Sequence, residues 1–243
     1  MIRLPQLDSV RLWFPPVDEA LDEPNGLLAF GGDLRPDRLL AAYRHGIFPW
    51  YDEDQPILWW SPNPRAVIYP DQLHISRSLR KTLRRGVFEV SMDRAFTEVM
   101  AGCAERDSTW ITRDMQKAYA RMFEMGHAHS IEVWRDQRLV GGLYGMAIGR
   151  VFYGESMFSR ETDASKTALV YLCGQLQAWD FRLIDCQVGN DHTRSLGATD
   201  ISRRKFCRLL SDNIDQTSTA GASPWQMKWS PPRAVNADMN TEG

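Results

Sequence analysis

The fold is decided by a run of three segments joined by two short links. The segments are His129-Ser130-Ile131-Glu132-Val133-Trp134-Arg135, then Arg138-Leu139-Val140-Gly141-Gly142-Leu143-Tyr144-Gly145-Met146-Ala147-Ile148, then Val151-Phe152-Tyr153-Gly154-Glu155-Ser156-Met157-Phe158-Ser159. Each is rich in β-branched and aromatic residues, and the links Asp136-Gln137 and Gly149-Arg150 are hairpin signals, so three strands in an antiparallel meander are predicted over 129–135, 138–148 and 151–159. Downstream, the pattern predicts a helix over 164–179, a strand over 182–188 and a helix near 202–211. Upstream, it predicts a strand over 65–69 and helices over 76–85, 93–104 and 112–125, the last stopped by Gly126.

Residues 1–62 read as a small unit of their own, and 63–243 as a larger one. Pro24-Asn25-Gly26 and Gly31-Gly32-Asp33 mark turns, Pro36 opens a helix that ends at Gly46, and Ile57 to Trp60 suggest a short strand. Ser61-Pro62-Asn63-Pro64 is the expected boundary. The fold class is therefore α+β: a small N-terminal α/β domain, then a domain with a mixed, mainly antiparallel sheet. A meander, a helix and a further strand resemble the core of the GNAT acyltransferase fold, a likeness that says little about substrate. The stretch 213–243 is expected to be a partly mobile tail, with Trp225 and Trp229 docking part of it. Trp229-Ser230-Pro231 also echoes Trp60-Ser61-Pro62, too briefly to be a repeat domain.

The chain has 243 residues, 43% hydrophobic and 25% charged, which is ordinary for a soluble globular protein, and a net charge of −2, so nucleic-acid binding would need a local patch. No apolar run approaches a membrane span, and residues 1–20 are not those of a signal peptide. Cys103, Cys173, Cys186 and Cys207 form no CxxC pair, which fits reduced thiols of the cytoplasm. His127 and His129 lack a third ligand nearby and read as structural. No metal or cofactor is expected. Arg138-Leu139-Val140-Gly141-Gly142-Leu143 only approaches a coenzyme-A loop and enters a strand instead.

Three polar residues interrupt the predicted strands: Glu155, Asp185 and Gln187. A carboxylate in such a place is costly unless it is hydrogen-bonded or used. Asp185 and Gln187 are two residues apart, so on a strand they share a face, while Cys186 points the other way as a small core residue. Together the three could handle a proton; a buried hydrogen-bond network is the alternative. Arg77, Arg80, Lys81, Arg84 and Arg85 recur on one face of the 76–85 helix, opposite Ile75, Leu79 and Leu83, and suit a phosphate backbone or simply a solvated face. Trp50 and Trp110 lie in predicted loops, where stacking on an unpaired base is one use and packing between domains another.

Several runs in order resemble those of the bacterial leucyl/phenylalanyl-tRNA–protein transferases. Among them are Glu23-Pro24-Asn25-Gly26-Leu27-Leu28-Ala29, Gly46-Ile47-Phe48-Pro49-Trp50, Leu58-Trp59-Trp60-Ser61-Pro62, His74-Ile75-Ser76-Arg77-Ser78, Gly154-Glu155-Ser156-Met157-Phe158-Ser159 and Asp185-Cys186-Gln187-Val188. The resemblance covers about Phe14 to Phe206 and departs in the tail. It implies transfer of Leu or Phe, and Met by the same shape, from aminoacyl-tRNA to the N-terminal amine of proteins that begin with Arg or Lys. The product would be marked for N-end rule degradation. It also implies a cytoplasmic enzyme, expected as a monomer, that touches the 3′ end and acceptor stem of the tRNA. By the same carry-over Gln187 faces the attacking amine with Asp185 behind it, Glu155 orients the aminoacyl end or the cationic acceptor, and Trp50 and Trp110 bracket the terminal adenine. Leu143, Phe152 and Leu172 are candidate walls of the side-chain pocket, with ordinary core packing as the alternative. Two other classes compete: a GNAT acetyltransferase using acetyl-CoA, and a non-catalytic tRNA-binding protein.

Overall fold

The computed structural model describes residues 4–105, 110–216 and 225–231. Two sheets organise them. The smaller, in the order β1-β2-β4-β3, joins β1 (Gln6–Leu7), β2 (Leu27–Gly31), β4 (Leu58–Trp60) and β3 (Phe48–Pro49). Its helix α1 (Pro36–Arg44) begins with Pro at the first turn, where the missing N–H costs nothing. Strand β2 lies where the turn signals dominate the sequence, which hid it.

The larger sheet has the order β11-β5-β10-β9-β8-β7-β6. Its meander is β7 (Ala128–Arg135), β8 (Arg138–Ile148) and β9 (Val151–Ser159). These are close to the predicted segments because the links hold strong turn chemistry: Asp136, Gln137 and Gly149 all take the left-handed backbone that a tight hairpin requires. The sheet is completed by β6 (Glu89–Met92), β5 (Arg65–Ile68), β10 (Leu183–Asp185) and β11 (Thr199–Ile201). All neighbours are antiparallel except β9 and β10. The helices are α2 (Arg77–Arg85), α3 (Phe96–Ala104), α4 (Arg113–Glu124), α5 (Ala164–Ala178), α6 (Asp191–Ser195) and α7 (Arg203–Asn213). Strands β6 and β11 are absent from the sequence reading, because short half-exposed edge strands carry little periodic signal.

Two apolar layers flank the large sheet. One packs α1, α3, α4 and α7 around Tyr43, Met115, Tyr119, Tyr144, Tyr153 and Phe206, and continues into the small sheet through Leu28 and Trp59. The other packs α5 around Ile131, Leu143, Phe152, Leu172, Leu176 and Ile184. Gly141 serves this packing, since a Cβ there would meet Ala164 at 2.6 Å; Gly142 faces the other layer, where a Cβ would meet the Ile131 carbonyl at 2.6 Å and Val99 at 3.1 Å. The partial coenzyme-A loop is thus the middle of β8.

The predicted strand over 182–188 is shorter than expected. Regular structure ends at Asp185, although Cys186 N–H still donates to Ala66 O (2.9 Å) and Ala66 N–H to Gln187 O (3.2 Å). Gln187 turns the chain away with φ 55. Part of the expected tail, 217–224 and 232–243, lies outside the described residues. Trp225 and Trp229 both dock, as expected, on the α5 side. Among the described residues, no helix is long and apolar enough to cross a membrane.

Candidate active site

The parallel pair β9 and β10 run side by side only as far as Tyr153 and Asp185, the last pair in register. Beyond that point β9 continues to Ser159 while β10 stops, so the sheet is open along one edge of Gly154–Ser159. On the other edge, Gly154 pairs with Gly145 and Ser156 with Tyr144, which leaves Glu155 as the extra residue of a bulge. A bulge re-aims a side chain. Here it sets a carboxylate at the mouth of a pocket of about 530 Å³.

The pocket gathers residues that are far apart in sequence. Its apolar wall includes Leu143, Phe152, Leu169, Leu172 and Ile184, its rim Trp50 and Trp110, and its polar end Glu155 and Gln187. An apolar cavity with a few convergent polar groups is the usual form of a small-ligand site. Trp50 is 43% exposed, so its indole is held at the surface by contact with Trp60 (centroids 5.6 Å apart) rather than buried for packing.

The two carboxylates are held very differently. Asp185 is fully buried and takes both forks of an equally buried Arg65: Nε donates to Oδ1 at 2.7 Å and Nη2 to Oδ2 at 2.6 Å. The guanidinium also donates to Gly46 O (3.1 Å) and lies over the rings of Phe48 and Phe206. Asp185 Oδ1 accepts a further bond from Gln187 N–H at 3.0 Å. Asp185 therefore braces the turn at Gln187 and is not among the residues that line the pocket. The shared strand face expected for Asp185 and Gln187 is not formed, because β10 ends and Gln187 takes a positive φ. Cys186, expected to face away as core, packs against the apolar layer under α5 and also lines the pocket. Burial pushes its thiol up to about 12, so it stays protonated.

Among the described residues, Glu155 forms no ion pair, and the cation acting on it, Arg65, is taken up by Asp185. Tyr43 Oη donates to Oε1 at 2.6 Å and Tyr119 Oη to Oε2 at 3.0 Å. The two phenol oxygens also touch each other in a short hydrogen bond. Burial raises the Glu155 pKa from 4.5 to about 7, against the two tyrosine hydrogen bonds that lower it. Burial also holds both phenols well above their usual value, so both remain donors. A phenol carries one hydrogen. With Glu155 ionised, two hydrogens serve three O···O contacts; with Glu155 protonated, three hydrogens serve all three. The ring of contacts is complete only in the protonated state. Gln187 adds a buried side-chain nitrogen, Nε2, without a hydrogen-bond partner among the described residues.

Arg65, Tyr43 and Tyr119 were invisible as site residues in the sequence. The tyrosines sit on ordinary apolar helix faces. Arg65 opens the apolar run Ala66-Val67-Ile68, and that misplaced cation was the one readable signal. On α2, Arg77, Arg80, Lys81 and Arg84 line a second groove, and Arg85 is exposed outside it. Among the described residues, none of the five has an ion-pair partner.

A mixed, mainly antiparallel sheet, split beside an apolar pocket that a carboxylate helps to line, is an arrangement that can hold a small ligand against a titratable group. The particular family follows from similarity. The chain belongs to the leucyl/phenylalanyl-tRNA protein transferase family, whose model matches residues 67–211 and whose N-terminal-domain model matches residues 32–63. The leucyl/phenylalanyl-tRNA–protein transferase of Stutzerimonas stutzeri is 59% identical over 213 residues, 86% of this chain and 94% of that one. That of Hahella chejuensis is 55% identical over 235 residues, 95% of this chain and 99% of that one. A solved GCN5-related N-acetyltransferase from Kribbella flavida aligns at 14% identity and a TM-score of 0.37, over 69% of this chain and 61% of that one.

Proposed function

We propose that this protein moves Leu or Phe, and Met by the same shape, from aminoacyl-tRNA to the N-terminal amine of proteins beginning with Arg or Lys, marking them for N-end rule degradation in the cytoplasm. Family membership supports the donor and the protein acceptor. The observation that carries the reading is one pocket with three chemically distinct parts: an apolar wall, an aromatic rim and a polar mouth. They suit a leucyl or phenylalanyl side chain, a flat terminal adenine and an ester under attack, respectively. Leu143, Phe152 and Leu172 wall the side-chain part, and Trp50 and Trp110 hold the base. The basic groove on α2 suits the acceptor-stem phosphates. The enzyme acts as a monomer and needs no cofactor, because aminolysis of an activated ester runs downhill.

The neutral amine attacks the ester carbonyl carbon, its nitrogen forms the new C–N bond, and the C–O bond to the ribose breaks. The ribose oxygen leaves with a proton. A peptide α-amine has a pKa of about 7.7–8.0, close to that of Glu155. Glu155 takes the amine's proton and closes the ring with Tyr43 and Tyr119, then returns it to the ribose oxygen. The unpartnered Nε2 of Gln187 donates to the carbonyl oxygen as it becomes an oxyanion. Asp185, held by Arg65, fixes the turn that presents Gln187.

The test is to incubate the purified protein with charged Phe-tRNA and an Arg-initiated peptide, with acetyl-CoA as the parallel donor. Phenylalanyl transfer with no acetylation is expected. Acetylation instead, or tRNA binding without transfer, sinks the reading.

A further inference from the structure

The apolar wall of the pocket continues past Phe152 to a residue from the end of the chain. The described segment 225–231 lies against α5 and the far end of β7. Gln175 Oε1, on a side chain only 2% exposed, accepts from the backbone N–H of both Lys228 (2.7 Å) and Trp229 (2.8 Å). Gly174 makes room for the Trp229 ring, which a Cβ would meet at 2.2 Å. These contacts set the height of the strap on the helix. They deliver Trp225 into the apolar layer behind the pocket. Its indole stacks on His129 at 3.6 Å with the planes 5° apart. It meets Trp179 and Phe181 edge-on, with centroids 4.9 and 5.7 Å away. It also faces Phe152 at 6.3 Å.

His129 is itself fixed, because its Nδ1 is 2.7 Å from Asp93 Oδ2. The far side of Trp225 therefore rests on a ring that cannot retreat. Phe152 has its aromatic ring across Gly145, where a Cβ would come within 2.6 Å of it. Its ring is thus enclosed by a glycine backbone on one side and the Trp225 indole behind. The open side is the pocket. The depth of the pocket at Phe152 is set by how far back that ring can move.

We propose that Trp225 is a positioning residue for the acyl side-chain pocket: it holds Phe152 forward and so sets the ratio in which leucyl and phenylalanyl donors are used. The proposal rests on the reading above in which Leu143, Phe152 and Leu172 wall that pocket. Without the indole, Phe152 relaxes into the vacated space and the pocket lengthens. A longer pocket favours the larger, flat phenylalanyl group over the branched leucyl group.

The test is competition between Leu-tRNA and Phe-tRNA for one Arg-initiated peptide, run with the wild type, Trp225→Ala, Trp225→Phe and Phe152→Ala. A single methylene in such a pocket is worth about 10–200-fold, so a partial shift of one ring should move the Phe-to-Leu ratio by about threefold to tenfold toward Phe in Trp225→Ala. Trp225→Phe should lie between that value and wild type. If Phe152→Ala changes the ratio while Trp225→Ala slows both donors equally, the strap is merely structural and this proposal is overturned, with the pocket reading intact. If Phe152→Ala leaves the ratio unchanged, the pocket reading itself falls, and this proposal with it. Should Trp225→Ala not fold, Trp225→Phe decides: a shift toward Phe supports the proposal and an unchanged ratio overturns it.

Discussion

The two lips of the split sheet each carry one carboxylate, and the pair shows how neighbours divide one residue chemistry into two jobs. On the β10 lip, Asp185 is locked in two hydrogen bonds to a buried guanidinium and accepts a third from the chain it braces. Its charge is matched by a fixed opposite charge. On the β9 lip, the hydrogen bonds to Glu155 among the described residues come from neutral phenols, and burial lifts its pKa to about 7. Two hydroxyls can orient a carboxylate without committing it to the ionised form. The first arrangement suits a rigid frame, and the second a group that gains and loses a proton near neutral pH.

The sharpest way to break this contrast is on the Glu155 side. Glu155→Gln keeps the size and loses the proton site, so turnover should fall about 10²–10⁴-fold while Phe-tRNA binding persists. The pH profile gives the second readout: wild-type kcat should fall as pH drops through about 7, where the carboxylate becomes protonated, and the variant should lack that limb. A variant turning over at near-wild-type rate would show that Glu155 is as structural as Asp185.

On the other lip the main loss should be stability. Asp185→Ala strands a fully buried Arg65 without its partner, a situation that costs about 3–5 kcal/mol. Urea denaturation should register that loss, and any residual folded protein should show reduced transfer through the unbraced Gln187. Unchanged stability would mean that the ion pair contributes no more than well-packed apolar side chains would.

The smallest effect separates the two lips by pH alone. The folded pKa of Glu155 is raised above the unfolded value of 4.5 to about 7, so the folded state binds more protons in that window. Wild-type stability contributed by this group is present below 4.5 and is lost as pH rises through about 7. Glu155→Gln escapes that loss. Its Tm relative to wild type should therefore rise between pH 5 and pH 8, by about 2–4 °C if the cost is near 1 kcal/mol. A constant difference across that range would place the carboxylate's charge in a better-solvated setting.

Much of the frame was legible because its signals are local. The turn chemistry at Asp136-Gln137 and Gly149 framed the meander, and Gly126 marked the end of α4. Glu155, Gln187, Trp50, Trp110, Leu143, Phe152 and Leu172 could be named in advance, and one pocket brings all seven together. Less legible was the relation between Asp185 and Gln187. Alternation along a strand put them on one face, yet the strand ends between them and a positive φ at Gln187 reverses the geometry.

What the sequence determined by itself was the meander with the helix and strand that follow it, the family and seven of the residues that line the pocket, since these depend on near-neighbour chemistry and on runs of matched residues. That Glu155 sits among phenols while Asp185 is locked to a guanidinium was decided only by the tertiary structure. Asp185 meets Arg65 across 120 positions, and Glu155 meets Tyr43 across 112. Charge compensation acts over a few ångströms of space, whatever the distance along the chain. Only folding brings a guanidinium to one acid and two phenols to the other.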